Sequence, residues 1–456
     1  MLRPFTNYQR TELKWLEYLP DSWNVLRTKQ VFRLRIEKAP DNNHMELLSI
    51  YTHIGVKPRK DLEQRGNKAS TTDGYWIVKK GDIISNKLLA WMGAVGVSHY
   101  EGVTSPAYDI LRPIQACNTD YYHYLFRTPR YLQQFKIRSR GIMDMRLRLY
   151  FDQFGQIPVP VPPTDEQNSI VFFLNWKAAQ INKFIRNKRR FIELLKEQKQ
   201  NVINQAVTQG VDPNVKFKPS GMEWIGDIPE HWEVRRLKFL CHNLNEQTSE
   251  KQPDETYIAL EHVESWTGRI SLPDEEVTFD SQVKRFQPGD VLFGKLRPYL
   301  AKVTRPRIAG VCVGEFLVLR ATGNVSADFL EQKLRSKRVI DLINSSTFGA
   351  KMPRADWNFI GNLKFAYPPV DEQQEILEHI QEKSAEIDQA ISRAQREIEL
   401  MREYRTRLIS DVVTGQVDVR GIEVPDVAEE ELLALEEDTA DRDDVIDDEG
   451  YMDETD

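Results

Sequence analysis

The sequence predicts an α+β chain written twice: two similar mixed α/β domains, separated by a pair of long antiparallel coiled-coil helices, in a pseudo-twofold internal repeat. Three observations predict it. Anchors recur in the same order 206 to 209 residues apart: WLEYLPDSW (Trp15 to Trp23) returns as WIGDIPEHW (Trp224 to Trp232), GDIISNKL from Gly81 as GDVLFGKL from Gly289, and PPTDEQ from Pro162 as PPVDEQ from Pro368. Each PP-x-DEQ opens a long segment whose apolar residues recur at helical spacing. The two segments carry opposite charge.

Residues 1–163 form the first domain and residues 211–369 the second. In the first, MELLSIYTHIGV and YWIVKKGDIIS are β-prone runs bounded by turn residues, and in the second ETYIALEHV, GDVLFG and GVCVGEFLVLR are their kind. A helix is expected over YYHYLFRTPRYLQQFKIRS, and its counterpart ADFLEQKLRSKRVIDLINS lies at an offset of 208. The anchors match, but residues 35–79 share little with 244–287, so a common scaffold carries different surface loops. Trp15, Trp23, Trp224 and Trp232, with Pro20 and Pro229, recur where the loops diverge, which suits a shared core. The repeated Gly-Asp reads as a turn entering a strand, with Lys87 and Lys295 presented just beyond it.

The long helices are expected over residues 164–210 and 370–415, each closed by a glycine, Gly210 or Gly415. Thr164 and Gln167 fit a capping box, and the second copy is expected to cap through Asp371. Steps of three, four and seven place Leu174, Ile181, Ile185, Ile192, Leu195 and Val202 on one stripe, and Ile380, Ile387, Ile391, Ile398, Met401 and Leu408 on the other. At 1.5 Å per residue each segment makes a rod of roughly 65–70 Å. A rod with one apolar stripe needs a partner helix. Residues 164–210 hold eight Lys/Arg and four Asp/Glu, whereas 371–415 hold six and eleven, so the two segments suit each other, antiparallel across the intervening domain.

Residues 416–456 end the chain in an acidic tail. From Asp426 it holds 16 Asp/Glu and one basic residue, Arg442, which leaves 61 basic against 53 acidic side chains before it: the overall charge of −7 hides a body of +8. Such a tail reads either as a solvating, disordered segment or as a mimic competing for a basic groove. Three cysteines, Cys117, Cys241 and Cys312, lie far apart, which predicts a reduced, cytosolic chain. The opening residues lack an apolar leader, and the densest apolar run, Ile170 to Leu174, is five long, so no membrane partner is expected.

Several motifs look catalytic and lack an essential part. Gly289 to Lys295 spells G-x-x-x-x-G-K, but Leu296 stands where the Ser/Thr of a phosphate-binding loop would hold Mg²⁺, and the twin segment has Asn86 in place of Gly294. Pro253-Asp254 and Pro273-Asp274 could begin a nuclease site, yet no Glu-x-Lys follows at useful strand spacing, and Glu315 has Ala107 as its twin. Tyr367-Pro-Pro-Val and Val161-Pro-Pro-Thr have the prolines of an adenine-methyltransferase loop without its flanks, and the 8 histidines form no metal-ligand cluster. No catalytic residue, no metal site and no cofactor bound by this chain are expected.

What remains is basic. Lys136, Arg138, Arg140, Arg146 and Arg148 crowd around Gly141, and Lys351 and Arg354 follow Gly349 at the aligned place. With Lys87 and Lys295 they are the candidate DNA contacts, since Lys and Arg suit phosphates and Arg also reads base edges. The other reading of each is a solvated helix face or a structural ion pair.

The order of globular unit, proline-capped long helix, globular unit and long helix, with the doubled P-x-x-W entry and the doubled PP-x-DEQ exit, resembles the specificity subunit of type I restriction–modification systems over about residues 10 to 418. The acidic tail falls outside that pattern. The resemblance implies that each globular unit is a target recognition domain reading one half of a bipartite, asymmetric site in double-stranded DNA. It implies two adenine-methylating modification subunits and two ATP-driven restriction subunits as partners, with S-adenosylmethionine, ATP and Mg²⁺ belonging to them, in the cytoplasm of a bacterium or archaeon. A rod of ~68 Å would span at most about 20 base pairs. The competing readings are a stand-alone nuclease or NTPase using Lys295, and a coiled-coil scaffold that binds proteins without DNA.

Overall fold

The computed structural model describes residues 3–52, 54–61, 72–142, 146–272, 282–347 and 352–425. The tail from Asp426, Lys351 and Pro273-Asp274 lie outside the described residues. The chain divides into two compact units: residues up to Lys188 with those from Arg396, and Arg189–Gln395.

Unit 1 is built on strands β1 (Asn24–Arg27), β2 (Phe32–Arg35), β3 (Ile83–Asn86), β4 (Val95–Val97), β5 (Tyr108–Pro113) and β6 (Pro158–Val161). Four of them form an antiparallel sheet in the order β2-β5-β3-β4, while β6 pairs with β1. The central β5 is buried over Tyr108–Leu111, a stretch that is apolar but for Asp109. Unit 2 repeats this with β7 (Glu233–Arg236), β8 (Cys241–Leu244), β9 (Gln247–Thr248), β10 (Thr256–Ile258), β11 (Val283–Phe286), β12 (Val291–Gly294), β13 (Val303–Thr304), β14 (Gly310–Val313), β15 (Phe316–Ala321) and β16 (Lys364–Tyr367). Its matching sheet runs β8-β15-β12-β13, and β16 pairs with β7. The copies part where their sequences part. Unit 2 has a second sheet in the order β9-β11-β14-β10. Unit 1 keeps its core at the same offset of 208, as Trp76–Val78 paired with Gly102–Thr104 and flanked by single bridges Lys38–Trp76 and Leu47–Val103, and adds the pair Leu48–Tyr51 with Gly55–Pro58.

The single helix expected in each domain is two. α1 (Thr119–Phe126) stops before α2 (Pro129–Arg138), because Pro129 holds Thr128 in extended backbone (ψ 146°). In unit 2, α4 (Ala327–Arg335) and α5 (Lys337–Ser345) break at Ser336, whose hydroxyl donates to the Lys333 carbonyl at 2.7 Å.

The long helices are α3 (Thr164–Gln209, 46 residues) and α6 (Val370–Val413, 44 residues). Within unit 1, Lys188 pairs with Glu397 at 2.6 Å, and Arg405 donates to Asn182 Oδ1 at 2.9 Å. Within unit 2, Lys199 pairs with Asp388 at 2.7 Å. In unit 1 a later residue on α3 meets an earlier one on α6, so the helices run antiparallel, basic against acidic. Leu174, Ile181, Ile185, Ile192, Ile380, Ile387, Ile398 and Leu408 are buried, whereas Leu195, Val202, Ile391 and Met401 are only half-buried. The stripe is better followed in steps of eleven: Ile170, Ile181, Ile192 and Ile203 on α3, and Ile376, Ile387 and Ile398 on α6, are all buried. Eleven residues close three helical turns, so a line stepped by seven drifts off the contact face. That drift is why Ile203, not Val202, packs at the end of α3.

One joint, built twice, seats a helix start on each domain. Trp23 is buried and donates from Nε1 to Glu166 Oε2 at 2.7 Å; Trp232 donates to Glu372 Oε1 at 3.0 Å. The next residue is a second bolt. Gln167 accepts from the Asn118 N–H (2.8 Å) and donates to the Pro162 carbonyl (2.9 Å), and Gln373 does the same with Ser326 (2.8 Å) and Pro368 (2.9 Å). Gln167 therefore does not close a capping box on Thr164. Asp371 is not a cap either, since α6 begins at Val370.

The same tryptophans receive the helix ends. Gly415 (φ +71°) follows α6 in unit 1, where a Cβ would lie 2.4 Å from Pro20 Cδ; Gly210 (φ +76°) follows α3 in unit 2, where a Cβ would lie 3.5 Å from Trp232 Cζ2. The carbonyls freed at these ends need donors. Tyr121 Oη donates to Val413 O at 2.9 Å in unit 1, and Lys333 Nζ donates to Val207 O in unit 2. Burial, with Arg338 nearby, pushes Lys333 down to about 7.

Two predictions follow from this packing. Ile387→Asp, which places a charge among buried isoleucines, should cost about 3 kcal/mol or more in a denaturant melt of the full chain. Lys333 binds its proton less tightly folded than unfolded, so stability should rise as pH climbs from about 7 towards 10.5. Below about 7 the ammonium is charged in both states and the cost of burying it is felt in full. Calorimetry of Lys333→Met across that window should show a shallower rise, by a few kcal/mol at most.

Candidate nucleic-acid interface

In both units the backbone brings the lysine after the Gly-Asp turn beside the downstream basic loop. The turn comes first. Gly81 (φ +89°) and Gly289 (φ +90°) reverse the chain, and the following aspartates are buried. Asp82 accepts from the Lys79 N–H at 2.9 Å and from Arg112 Nε and Nη2, both 2.9 Å; Asp290 accepts from the Gln287 N–H at 2.8 Å and from Arg320 at 2.7 and 2.8 Å. These bidentate pairs fix the entry to β3 and β12. At the far end, the Leu149 N–H donates to Lys87 O at 2.8 Å in unit 1, and the Ala355 N–H donates to Lys295 O at 3.0 Å in unit 2.

In unit 1 the two ends of the loop meet. Arg140 and Arg148 exchange both main-chain hydrogen bonds at 2.9 Å, and a Cβ on Gly141 would stand 2.4 Å from the Arg146 carbonyl oxygen, so only glycine fits. The side chains then sort themselves. Lys87 is not a free phosphate contact: its Nζ lies 3.3 Å from Asp109 and 3.2 Å from the Pro106 carbonyl. Burial raises the Asp109 carboxyl and Lys87 opposes that rise, so this lysine serves as an internal counter-ion. Lys136 lies over the Trp91 ring, 4.7 Å from its centre. Arg138 donates to Gln134 Oε1 at 2.5 Å, and Arg140 pairs with Asp152 at 2.7 Å where both are exposed. An exposed pair of that kind is worth well under about 1 kcal/mol and can be exchanged for a phosphate. Arg146 and Arg148 are exposed, with no guanidinium partner among the described residues.

In unit 2, Lys295 is half-buried at the end of β12, and its N–H donates to Glu315 O at 2.8 Å. Arg354 pairs with Glu315 at 2.9 Å while remaining 61% exposed. Lys284, buried on β11, donates to Phe316 O at 2.9 Å, and burial followed by the nearby charge of Lys295 lowers its pKa. The chain after Lys295 bridges from Leu296 to Arg354 and enters a one-turn 3₁₀ segment at Pro298–Leu300. No helix N-terminus faces a phosphate there, so the G-x-x-x-x-G-K spacing is coincidental. Among the described residues no group of three or more His, Cys, Asp or Glu is arranged to hold a metal ion. Sequence reasoning missed the roles of Arg112 and Arg320, and of the glutamate and glutamine in PP-x-DEQ; their recurrence at the repeat offset was the available signal.

The split between paired and free cations gives a test. Lys87→Ala should lower thermal stability by about 1–3 kcal/mol, because it strips Asp109 of its partner, and leave association with duplex DNA unchanged. Arg146→Ala and Arg148→Ala should melt like the parent but bind duplex DNA more weakly, each reducing the salt dependence of log K by about 1.

No protein-family model matches the chain. It is 23% identical over 324 residues to the type I restriction enzyme EcoDI specificity subunit of Escherichia coli, covering 66% of this chain and 71% of that one. It is 21% identical over 426 residues to the type I restriction enzyme MjaVIII specificity subunit of Methanocaldococcus jannaschii, covering 89% and 95%. A chain solved in work on complex assembly and conformational transition of the type I R-M system superposes with a TM-score of 0.57 at 13% identity, covering 87% of this chain and 98% of that one.

Proposed function

We infer that this chain is a specificity subunit of a type I restriction–modification system: the part that recognises DNA sequence and carries no reaction of its own. The observation that carries the reading is the pairing of a repeated scaffold with an unrepeated surface. Both units keep one sheet order and one Trp–Glu–Gln joint, whereas unit 1 alone adds the strand pair Leu48–Tyr51 with Gly55–Pro58 and the basic loops differ in sequence. Equal scaffolds with unequal faces suit a bipartite, asymmetric site, each unit reading one half. Nearly full-length similarity to a named specificity subunit supports the same reading.

In this reading Arg146, Arg148, the exchangeable Arg140 and Lys136 face DNA from unit 1, and Lys295 and Arg354 face it from unit 2. The partners would be two modification subunits that methylate adenine with S-adenosylmethionine and two restriction subunits that use ATP and Mg²⁺, in the cytoplasm of the host cell. In unit 1 the exposed aromatic residues Phe172 and Tyr404 are open to such partners. The described helices include none long and apolar enough to cross a membrane.

Mapping methylated adenine across the host genome, with and without this gene, tests the function. Deletion should erase one bipartite motif and leave the others. An unchanged methylome in a host with intact partner subunits would overturn the assignment.

A further inference from the structure

Arg297 is an exposed arginine held in left-handed backbone, φ 49° and ψ 62°, a conformation that suits glycine and strains other residues. Its main chain is pinned on every side. Its N–H donates to Pro353 O at 2.8 Å, its carbonyl accepts from the Leu300 N–H at 2.9 Å, and the preceding Leu296 is bridged to Arg354. Pro298 next to it is buried and anchors the turn. The guanidinium, in contrast, has no hydrogen-bond or ion-pair partner among the described residues. Strain kept in a rigid frame, around a side chain that does nothing for the fold, points to a ligand.

The repeat supplies the control. At the offset of 208, Leu89 occupies this place in unit 1, before the matching one-turn segment Ala90–Met92. Leu89 is half-buried with φ −112°, so the scaffold does not itself demand the strained backbone. The distortion belongs to unit 2 alone, where the surface has been rebuilt. Lys295 precedes Arg297 by two residues, and Arg354, steered by Glu315, lies across the bridge, so the turn carries positive charge beside a projecting fork of donors.

We propose that Arg297 is a specificity-determining residue of unit 2: its guanidinium reads a guanine through the O6 and N7 acceptors of the major-groove edge, while Arg354 and Lys295 hold the adjoining phosphates. A planar fork with a fixed root matches that pair of acceptors, which no other base presents. The inference rests on the DNA-recognition reading above, and it adds that the half-site bound by unit 2 contains a guanine for which unit 1 has no corresponding reader at Leu89.

The test uses the full chain assembled with its modification subunits, comparing the parent with Arg297→Gly and Arg297→Lys. Methylated-adenine sequencing on a plasmid library randomised at each half-site reads the outcome. Glycine adopts this backbone without strain, so Arg297→Gly should melt at or above the parent temperature and yet lose roughly 5- to 150-fold discrimination for guanine at one position. Arg297→Lys should keep affinity and lose part of that discrimination, since an ammonium lacks the fork. Retention of the parent preference by both variants overturns the proposal, as does a uniform loss at every position, which would make Arg297 a phosphate contact. Failure of the parent complex to methylate any defined motif would overturn the DNA-recognition reading itself.

Discussion

Everything in this fold hangs on an indole N–H finding a carboxylate in the first turn of a long helix. Trp23 and Trp232 are buried in their domain cores, so each N–H must be satisfied inside the protein. Glu166 and Glu372 supply the acceptors from positions where the helix dipole already favours negative charge. One interaction therefore closes a core and fixes the direction in which a helix leaves it. The double proline sets the last rigid step before that helix, and the following glutamine ties it to the neighbouring loop through Asn118 or Ser326. Removing the glutamate would leave a buried donor without a partner, which is costlier than the bond is worth.

The helix ends meet the same tryptophans from the other side. Gly415 packs against Pro20 and Trp23, and Gly210 against Trp232, where any side chain would collide or strain. Each domain is thus clamped around the beginning of one long helix and the end of the other. A helix pair with only a narrow apolar stripe needs such anchorage, because propensity and a few buried isoleucines alone stabilise it weakly. The inter-helix ion pairs at Lys188 and Lys199 join half-buried lysines to exposed carboxylates, and they select the partner and direction more than they add stability.

Much of this was legible in the sequence, since a repeat exposes its own purpose: what recurs is scaffold. The doubled Trp, Gly-Asp and PP-x-DEQ anchors marked the joint, the turn and the helix starts. Periodicity placed both long helices and most of their buried face. Reading that face in steps of seven pointed to Val202, where three full turns lead from Ile192 to Ile203. The candidate site was less legible. A lysine in a basic stretch looks the same whether its partner is a phosphate or a buried Asp109, because the partner is distant in sequence and is brought near only by β-sheet pairing. Backbone strain at Arg297 leaves no compositional trace at all, since arginine is an ordinary residue before a proline.

The two copies also solve one problem by different chemistry. A helix that ends inside a core leaves a carbonyl to be satisfied, at Val413 in unit 1 and at Val207 in unit 2. Tyr121 meets the first with a neutral hydroxyl, at no electrostatic cost. Lys333 meets the second with an amine whose charge the core disfavours, and whose ring neighbour Trp232 offsets that penalty only in part. The acceptor is dictated by the shared scaffold, whereas the donor is free to change so long as its reach fits. That freedom is the physical basis on which a duplicated protein keeps its joints while its two halves diverge: geometry is inherited through backbone groups that every residue supplies, and identity is needed only where a side chain faces a ligand.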